Sequence, residues 1–247
     1  MRRSLGREAA KLAAVVLMAA LAIGALVLGF FMRGKRIQVA PARISCVGDS
    51  ITFGFGLENR EQECWVSLLP ALLADGCQTS NYGLSGSCVL SDGFMPWLES
   101  PQAREFWAVE EDLVIVMLGT NDTADAAWDV GHFESEYGEL VARIQQKPGN
   151  PHVIIMLPPR IFASPALDET LVEEAIPAIR RVQERAGAGL VDLYTLTMDH
   201  PEWFDDGLHP NAAGNEAIAA CIADAIRAAW QPSAALSDAR ESPRSSR

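Results

Sequence analysis

The chain has 247 residues, about half of them apolar, enough for one large domain with extensions. Its formal charge is −12, but residues 1–36 carry seven basic side chains and one acidic, so the remainder stands at −18. A domain that acidic repels phosphate backbones and anionic lipid headgroups, which argues against a nucleic-acid partner and for a neutral substrate.

The N-terminus opens with a run of 21 residues, 12–32, without a charge, flanked by Arg2, Arg3, Arg7 and Lys11 before it and Arg33, Lys35 and Arg36 after it. A helix of that length spans roughly 30 Å, the thickness of a bilayer core. The run exceeds the 7–15 apolar residues of a signal peptide, and Ala40-Pro41-Ala42 lies well past its end. Residues 1–36 are therefore expected to be an uncleaved membrane anchor rather than a signal peptide. The basic flanks are nearly balanced, so charge says little about orientation. An N-terminal anchor ahead of a folded domain most often exports it, and an extracytoplasmic domain is the expectation.

A short linker, 37–42, leads to the first expected strand, 44–47. Residues 61–74 carry Trp65, Leu68, Leu69, Leu72 and Leu73 at helical spacing, with Gly76 as the stop. A second strand follows at 78–82. Residues 91–110 read as irregular and aromatic. The run 113–118 is almost wholly apolar and β-branched, as in a central parallel strand. A helix at 132–146, a strand at 153–157, a helix at 168–186 kinked by Pro177, a strand at 189–193 and an alanine-rich helix at 212–230 complete the domain. Residues 231–247 have no periodicity and read as a disordered tail. No fixed-period repeat occurs, which argues against a solenoid or propeller. The alternation implies one parallel sheet with helices on both faces.

Four polar loops fall at strand ends or before a helix: Gly48-Asp49-Ser50-Ile51-Thr52, Asn81-Tyr82-Gly83-Leu84-Ser85-Gly86-Ser87, Gly119-Thr120-Asn121-Asp122 and Asp205-Asp206-Gly207-Leu208-His209-Pro210. They can gather along one edge of that sheet. Acyl transfer needs a nucleophile, a base, a group that orients the base, and donors for the oxyanion. Ser50 offers a hydroxyl at a tight turn, against an ordinary helix cap as the plainer reading. Of four histidines, His209 combines a carboxylate three residues before it with a loop context ahead of a helix. Asp206 can fold back onto one ring nitrogen and leave the other for Ser50; Asp205 is the less well spaced competitor. Asn121 can donate its amide, and Ser50 and Gly86 their backbone N–H groups, to an oxyanion. Cys46, Cys64, Cys77, Cys88 and Cys221 show no metal-binding spacing, and Cys46 and Cys221 read as core. In an exported domain one pair among Cys64, Cys77 and Cys88 could be oxidised, with free thiols as the default.

Taken together and in this order, the four loops resemble the SGNH, or GDSL-type, hydrolase family, named for a Ser, a Gly, an Asn and a His in separate blocks. The resemblance spans residues 43–230, and Ile51 stands where the eponymous tetrad has Leu. It implies a flavodoxin-like three-layer α/β/α sandwich with a five-stranded parallel sheet. It also implies a Ser50–His209–Asp206 triad, an oxyanion hole from Ser50, Gly86 and Asn121, and no metal or organic cofactor. Leu157-Pro158-Pro159 and the segment around Trp97 look like bacterial esterases that remove acetyl groups from carbohydrates. The expected partners are a small-molecule or glycan ester and, through residues 12–32, a lipid bilayer. Trp97, Trp107, Trp128, Phe162 and Trp203 are candidate stacking surfaces, though aromatic residues are more often core. Two other readings compete: a lysophospholipase or thioesterase, and a glycan-binding module on a degenerate hydrolase fold.

Overall fold

The computed structural model describes residues 41–73 and 77–229. The expected anchor at residues 12–32, its flanks, most of the linker and the tail 231–247 lie outside the described residues, as does the end of the helix expected at 61–74. Among the described residues no helix is long and apolar enough to cross a membrane.

Five strands form one parallel sheet: β1 (Arg43–Gly48), β2 (Gln78–Gly83), β3 (Leu113–Met117), β4 (His152–Leu157) and β5 (Gly189–Asp192), in the order β2-β1-β3-β4-β5. Four of the five were legible in apolar runs and β2 in the short segment 78–82, each to within one residue at either end. The order reverses at β1, so the crevice between the C-terminal ends of β1 and β3 is where an open α/β sheet holds ligands. Register sharpens this. Gly48 of β1 is level with Gly83 of β2 and with Met117 of β3, so three loops leave the sheet at one height.

The helices are α1 (Ser50–Phe53), α2 (Arg60–Glu63), α3 (Trp65–Leu73), α4 (Pro101–Trp107), α5 (Val130–Gln145), α6 (Pro165–Thr170), α7 (Ile176–Ala186), α8 (Leu193–Thr197) and α9 (Ala212–Ala229). Strand alternation sorts them into two layers. Val114 and Val116 of β3 face one core with Phe133, Tyr137 and Val141 of α5 and Ile179 of α7. Leu113, Ile115 and Met117 face the other, with Trp65 and Leu69 of α3 and Ile218 and Ile222 of α9. Both faces of β3 are buried, which is why its sequence is apolar without alternation.

Three local expectations need correction. The helix expected at 61–74 is broken at Cys64, which is extended (φ −67°, ψ 136°). The break is stabilised from a distance: Asn215 of α9 accepts the freed Trp65 N–H at 2.9 Å, while the Cys64 thiol bonds Thr52 O. Residues 91–110 are not all irregular. They hold α4, capped by Ser100, whose hydroxyl accepts Ala103 N–H at 3.0 Å, with Pro101 in its first turn. At seven residues it is too short to show a period. The helix expected at 168–186 starts earlier, at α6, and passes through a π-helical turn, Leu171–Ala175, into α7. Pro177 then falls in the first turn of α7, where a missing N–H costs little, instead of kinking a continuous helix. All five cysteines are free, so no pair among Cys64, Cys77 and Cys88 is joined.

Candidate active site

Strand β1 ends at Gly48 and the chain turns at once into α1. Asp49 caps that helix, its Oδ1 accepting Ile51 N–H at 2.9 Å. Ser50 is the first helical residue and is 8% exposed. The end of β2 presses on this turn. A Cβ at Gly83 would lie 2.3 Å from Phe53 N, so no larger residue fits there without moving α1. Asn81 of β2 donates its amide to Thr52 O at 2.7 Å and secures the other side.

The loop before α9 brings the base. Gly207 O accepts both Phe162 N–H and Ala163 N–H at 2.8 Å, tying this loop to the segment after β4. Asp206 Oδ1 accepts Leu208 N–H at 2.9 Å and His209 N–H at 2.7 Å, and its Oδ2 lies 2.6 Å from His209 Nδ1. His209 Nε2 lies 2.9 Å from Ser50 Oγ. The three-residue spacing thus folds back as expected, and a contact 159 residues apart in sequence completes the line from carboxylate to hydroxyl. Burial pushes the Asp206 pKa up, but hydrogen bonds from His209 and Leu208 outweigh it, so the carboxyl sits below its ordinary value. Asn215, 1% exposed, supports the loop from behind, donating to Pro210 O at 2.8 Å while accepting from Trp65.

Gly86 and Asn121 meet through Ser87. Asn121 Nδ2 donates to Ser87 O at 2.9 Å and lies 3.5 Å from Asp49 Oδ2. The Ser87 hydroxyl, fully buried, donates to Gly48 O at 3.2 Å. One residue therefore links the ends of β1, β2 and β3 beside Ser50. Asp122 holds the far end of the same loop, its Oδ1 accepting Val89 N–H at 2.8 Å and Leu90 N–H at 3.0 Å. Burial drives two carboxyls upward here. Asp49 rises to about 7, with the nearby charge of Asp122 adding to the effect, and Asp122 rises to about 6 against the pull of the Leu90 and Val89 N–H groups. Sequence reasoning passed over Ser87, Asp49, Asp122 and Asn215 as supports. The first three lie inside or beside the motif loops, so adjacency was the available signal; Asn215 carried none.

The remaining candidates are employed elsewhere. Asp205 accepts the Asn211 amide at 3.0 Å and makes no bond to His209. His132 lies 3.2 Å from Glu136, His200 lies 2.8 Å from Glu202, and His152 opens β4 at the other end of the sheet. Trp97 is 1% exposed and donates its indole N–H to Tyr82 O, so it is core and offers no surface. Trp203 has one face stacked on His200 at 3.9 Å. Among the described residues no group of three or more His, Cys, Asp or Glu is placed to hold a metal ion.

Comparison with known proteins adds an independent line. The model of the GDSL-like lipase/acylhydrolase family matches residues 46–217, which include all four loops. An acetylxylan esterase from Xylanibacter ruminicola is 28% identical over 207 residues, 75% of this chain and 43% of that protein. The chain thus spans less than half the length of that relative. Among solved structures, an acetylxylan esterase from Geobacillus stearothermophilus superposes with a TM-score of 0.60 at 19% identity, covering 78% of this chain and 96% of that one. An aryl esterase from M. smegmatis gives 0.62 at 21% identity, covering 75% and 98%. At these identities the two structures speak to the fold alone.

Proposed function

Because the chain belongs to the GDSL-like lipase/acylhydrolase family, we propose that it is a serine esterase that removes short acyl groups, acetyl foremost, from a carbohydrate. The observation that carries this reading is the hydrogen-bonded line Asp206–His209–Ser50, with contacts of 2.6 and 2.9 Å. The acetylxylan esterase relative supports the choice of acyl group and substrate class.

In the proposed reaction, His209 Nε2 takes the Ser50 proton as Oγ attacks the ester carbonyl. Asp206 holds Nδ1, fixes the tautomer and stabilises the imidazolium. The oxyanion is received by the Ser50 and Gly86 N–H groups and one N–H of Asn121. The second contact of that amide, 3.5 Å to Asp49, is at the limit of a hydrogen bond, so this is the N–H that turns to the substrate. The imidazolium returns its proton to the leaving alcohol, water enters, and the same relay releases the acid and regenerates Ser50. Burial raises Asp49 to about 7, so near neutral pH its carboxyl carries less than a full negative charge behind Asn121 and the oxyanion.

The test is acetate release from acetylated xylo-oligosaccharides, with acyl chains of increasing length on nitrophenyl esters as the counter-series. Activity confined to acetylated sugars and short esters, lost in Ser50→Ala, is the expected result. A preference for long acyl chains would move the assignment to a lysophospholipase or thioesterase, and retained activity in Ser50→Ala would remove the nucleophile. The reading extends to the N-terminus: residues 12–32 anchor the chain in a bilayer with the domain on the extracytoplasmic side. The full chain should then sediment with membranes through a carbonate wash, and a chain starting at residue 37 should not.

A further inference from the structure

Phe55 is a large apolar side chain left in water beside the reacting groups. It is 50% exposed, and its ring centroid is 4.6 Å from that of His209, the planes inclined at 48°. The chain is built to hold it there. Its backbone N–H donates to Ser50 O at 2.9 Å, which fixes it to the helix that carries the hydroxyl. Gly54 and Gly56 flank it with φ of +86° and +85°. A Cβ at Gly56 would meet nothing within 4 Å, so glycine there answers the left-handed backbone and not a lack of room. Two left-handed residues around one aromatic lift the ring out of the core and set it against the imidazole.

The location assigns the ring to one half of the substrate. His209 Nε2 must come within hydrogen-bond reach of the departing oxygen when it returns the proton. The alcohol therefore lies against the imidazole, on which Phe55 packs. The acyl oxygen belongs with the proposed donors Gly86 and Asn121, which are joined through Ser87. An aromatic face is electron-rich and receives the weakly positive C–H groups of an aliphatic ring. A pyranose presents such groups on its faces while its hydroxyls point outward.

We propose that Phe55 is the platform for the leaving alcohol, its ring stacked on the C–H face of the sugar that carries the ester, and that it sets the preference for sugar over small alkyl alcohols. The proposal deepens the esterase reading and rests on it. Phe55 is a specificity-determining residue that touches substrate, whereas a residue that merely braced His209 would affect every ester alike.

The experiment compares kcat/KM on acetylated xylotriose and on ethyl acetate for the full chain, Phe55→Ala and Phe55→Trp. In Phe55→Ala the ratio of the two should fall about tenfold, mainly through KM for the sugar, and Phe55→Trp should restore most of it. An equal loss on both esters, or no loss on either, overturns the platform. A second measurement separates this proposal from the activity itself. Saturation-transfer NMR of unacetylated xylotriose with Ser50→Ala should mark the sugar ring protons, and Ser50→Ala/Phe55→Ala should lose that signal. Failure of the first to bind, or binding undiminished in the second, overturns the platform. A wild-type chain that cleaves ethyl acetate but not acetylated xylotriose brings down the carbohydrate-esterase reading and the preference assigned to Phe55, and Phe55-dependent sugar binding in that case would leave only the stacking contact standing.

Discussion

The two ends of the sheet both bury charge, and they handle it in opposite ways. At the end where the strands begin, Lys147 and Glu111 lie 3.5 Å apart with side chains 3% and 2% exposed. Lys147 also donates to Phe106 O at 2.5 Å and sits 3.9 Å over the Phe106 ring, while Ser45 donates to Glu111. Burial pushes Lys147 down and Glu111 up, each opposed by the attraction of the other. At the end where the strands finish, Asp49 and Asp122 have no buried cation. Their partners are backbone N–H groups and an amide, and Asp122 Oδ2 has no partner at all. The first arrangement neutralises charge inside the fold. The second leaves Asp49 and Asp122 without a counter-charge at the end that carries Ser50, while an unpartnered carboxyl oxygen is found at both ends, Glu111 Oε2 at the first and Asp122 Oδ2 at the second. On the proposed reading one sheet carries a structural end and a chemical end, and the difference lies in whether each buried ionisable group already has its counter-charge.

The largest effect should separate the ends outright. Ser50→Ala is expected to lower kcat by roughly a millionfold while changing unfolding free energy by less than about 1 kcal/mol, read by ester hydrolysis and a urea melt on the same sample. A large loss of stability would mean that the chemical end also holds the fold. Next, Lys147→Met leaves Glu111 buried without its counter-charge and should cost about 3–5 kcal/mol of stability. Its kcat, measured below the lowered melting point, should remain near wild type, and Lys147→Met/Glu111→Leu should recover most of the stability. A matching fall in kcat would break the division.

The smallest effect concerns pH. In the unfolded chain Asp49 and Asp122 titrate near about 4, whereas in the native state they do so at about 7 and about 6. Between those values the native state binds more protons than the unfolded state. Their contribution to stability is therefore complete below the unfolded value and is lost as pH rises through 6 and then 7. Asp122→Asn keeps the acceptor for Val89 and Leu90 but removes one titration. Relative to wild type, its stability should gain up to about 1.4 kcal/mol per pH unit between roughly pH 4 and 6. Parallel stability curves across that window in urea would show that Asp122 is not protonated in the folded protein.

Much of the framework was legible because the physics behind it is local. Apolar runs such as Leu113–Met117 are long enough to read as strands, and alternation with helices implies a parallel sheet. Asp206 and His209 are three residues apart, so their pairing is a property of one turn. What escaped the sequence is what depends on distant partners. Cys64 breaks a helix because Asn215, 150 residues on, receives the Trp65 N–H. Short α4 lacks a period, although its Ser100-Pro101 start was present to be read.

By itself, the order of residues determined the five strands, the four polar loops and the Asp206–His209 turn, since each depends on neighbours within a few positions. The tertiary structure alone decided that Ser50 meets His209 across 159 residues, that Ser87 ties three strand ends together, and that Trp97 is core while Phe55 stands in water beside the imidazole. Burial and long-range contact are sums over the whole packed chain, and no window of sequence contains them.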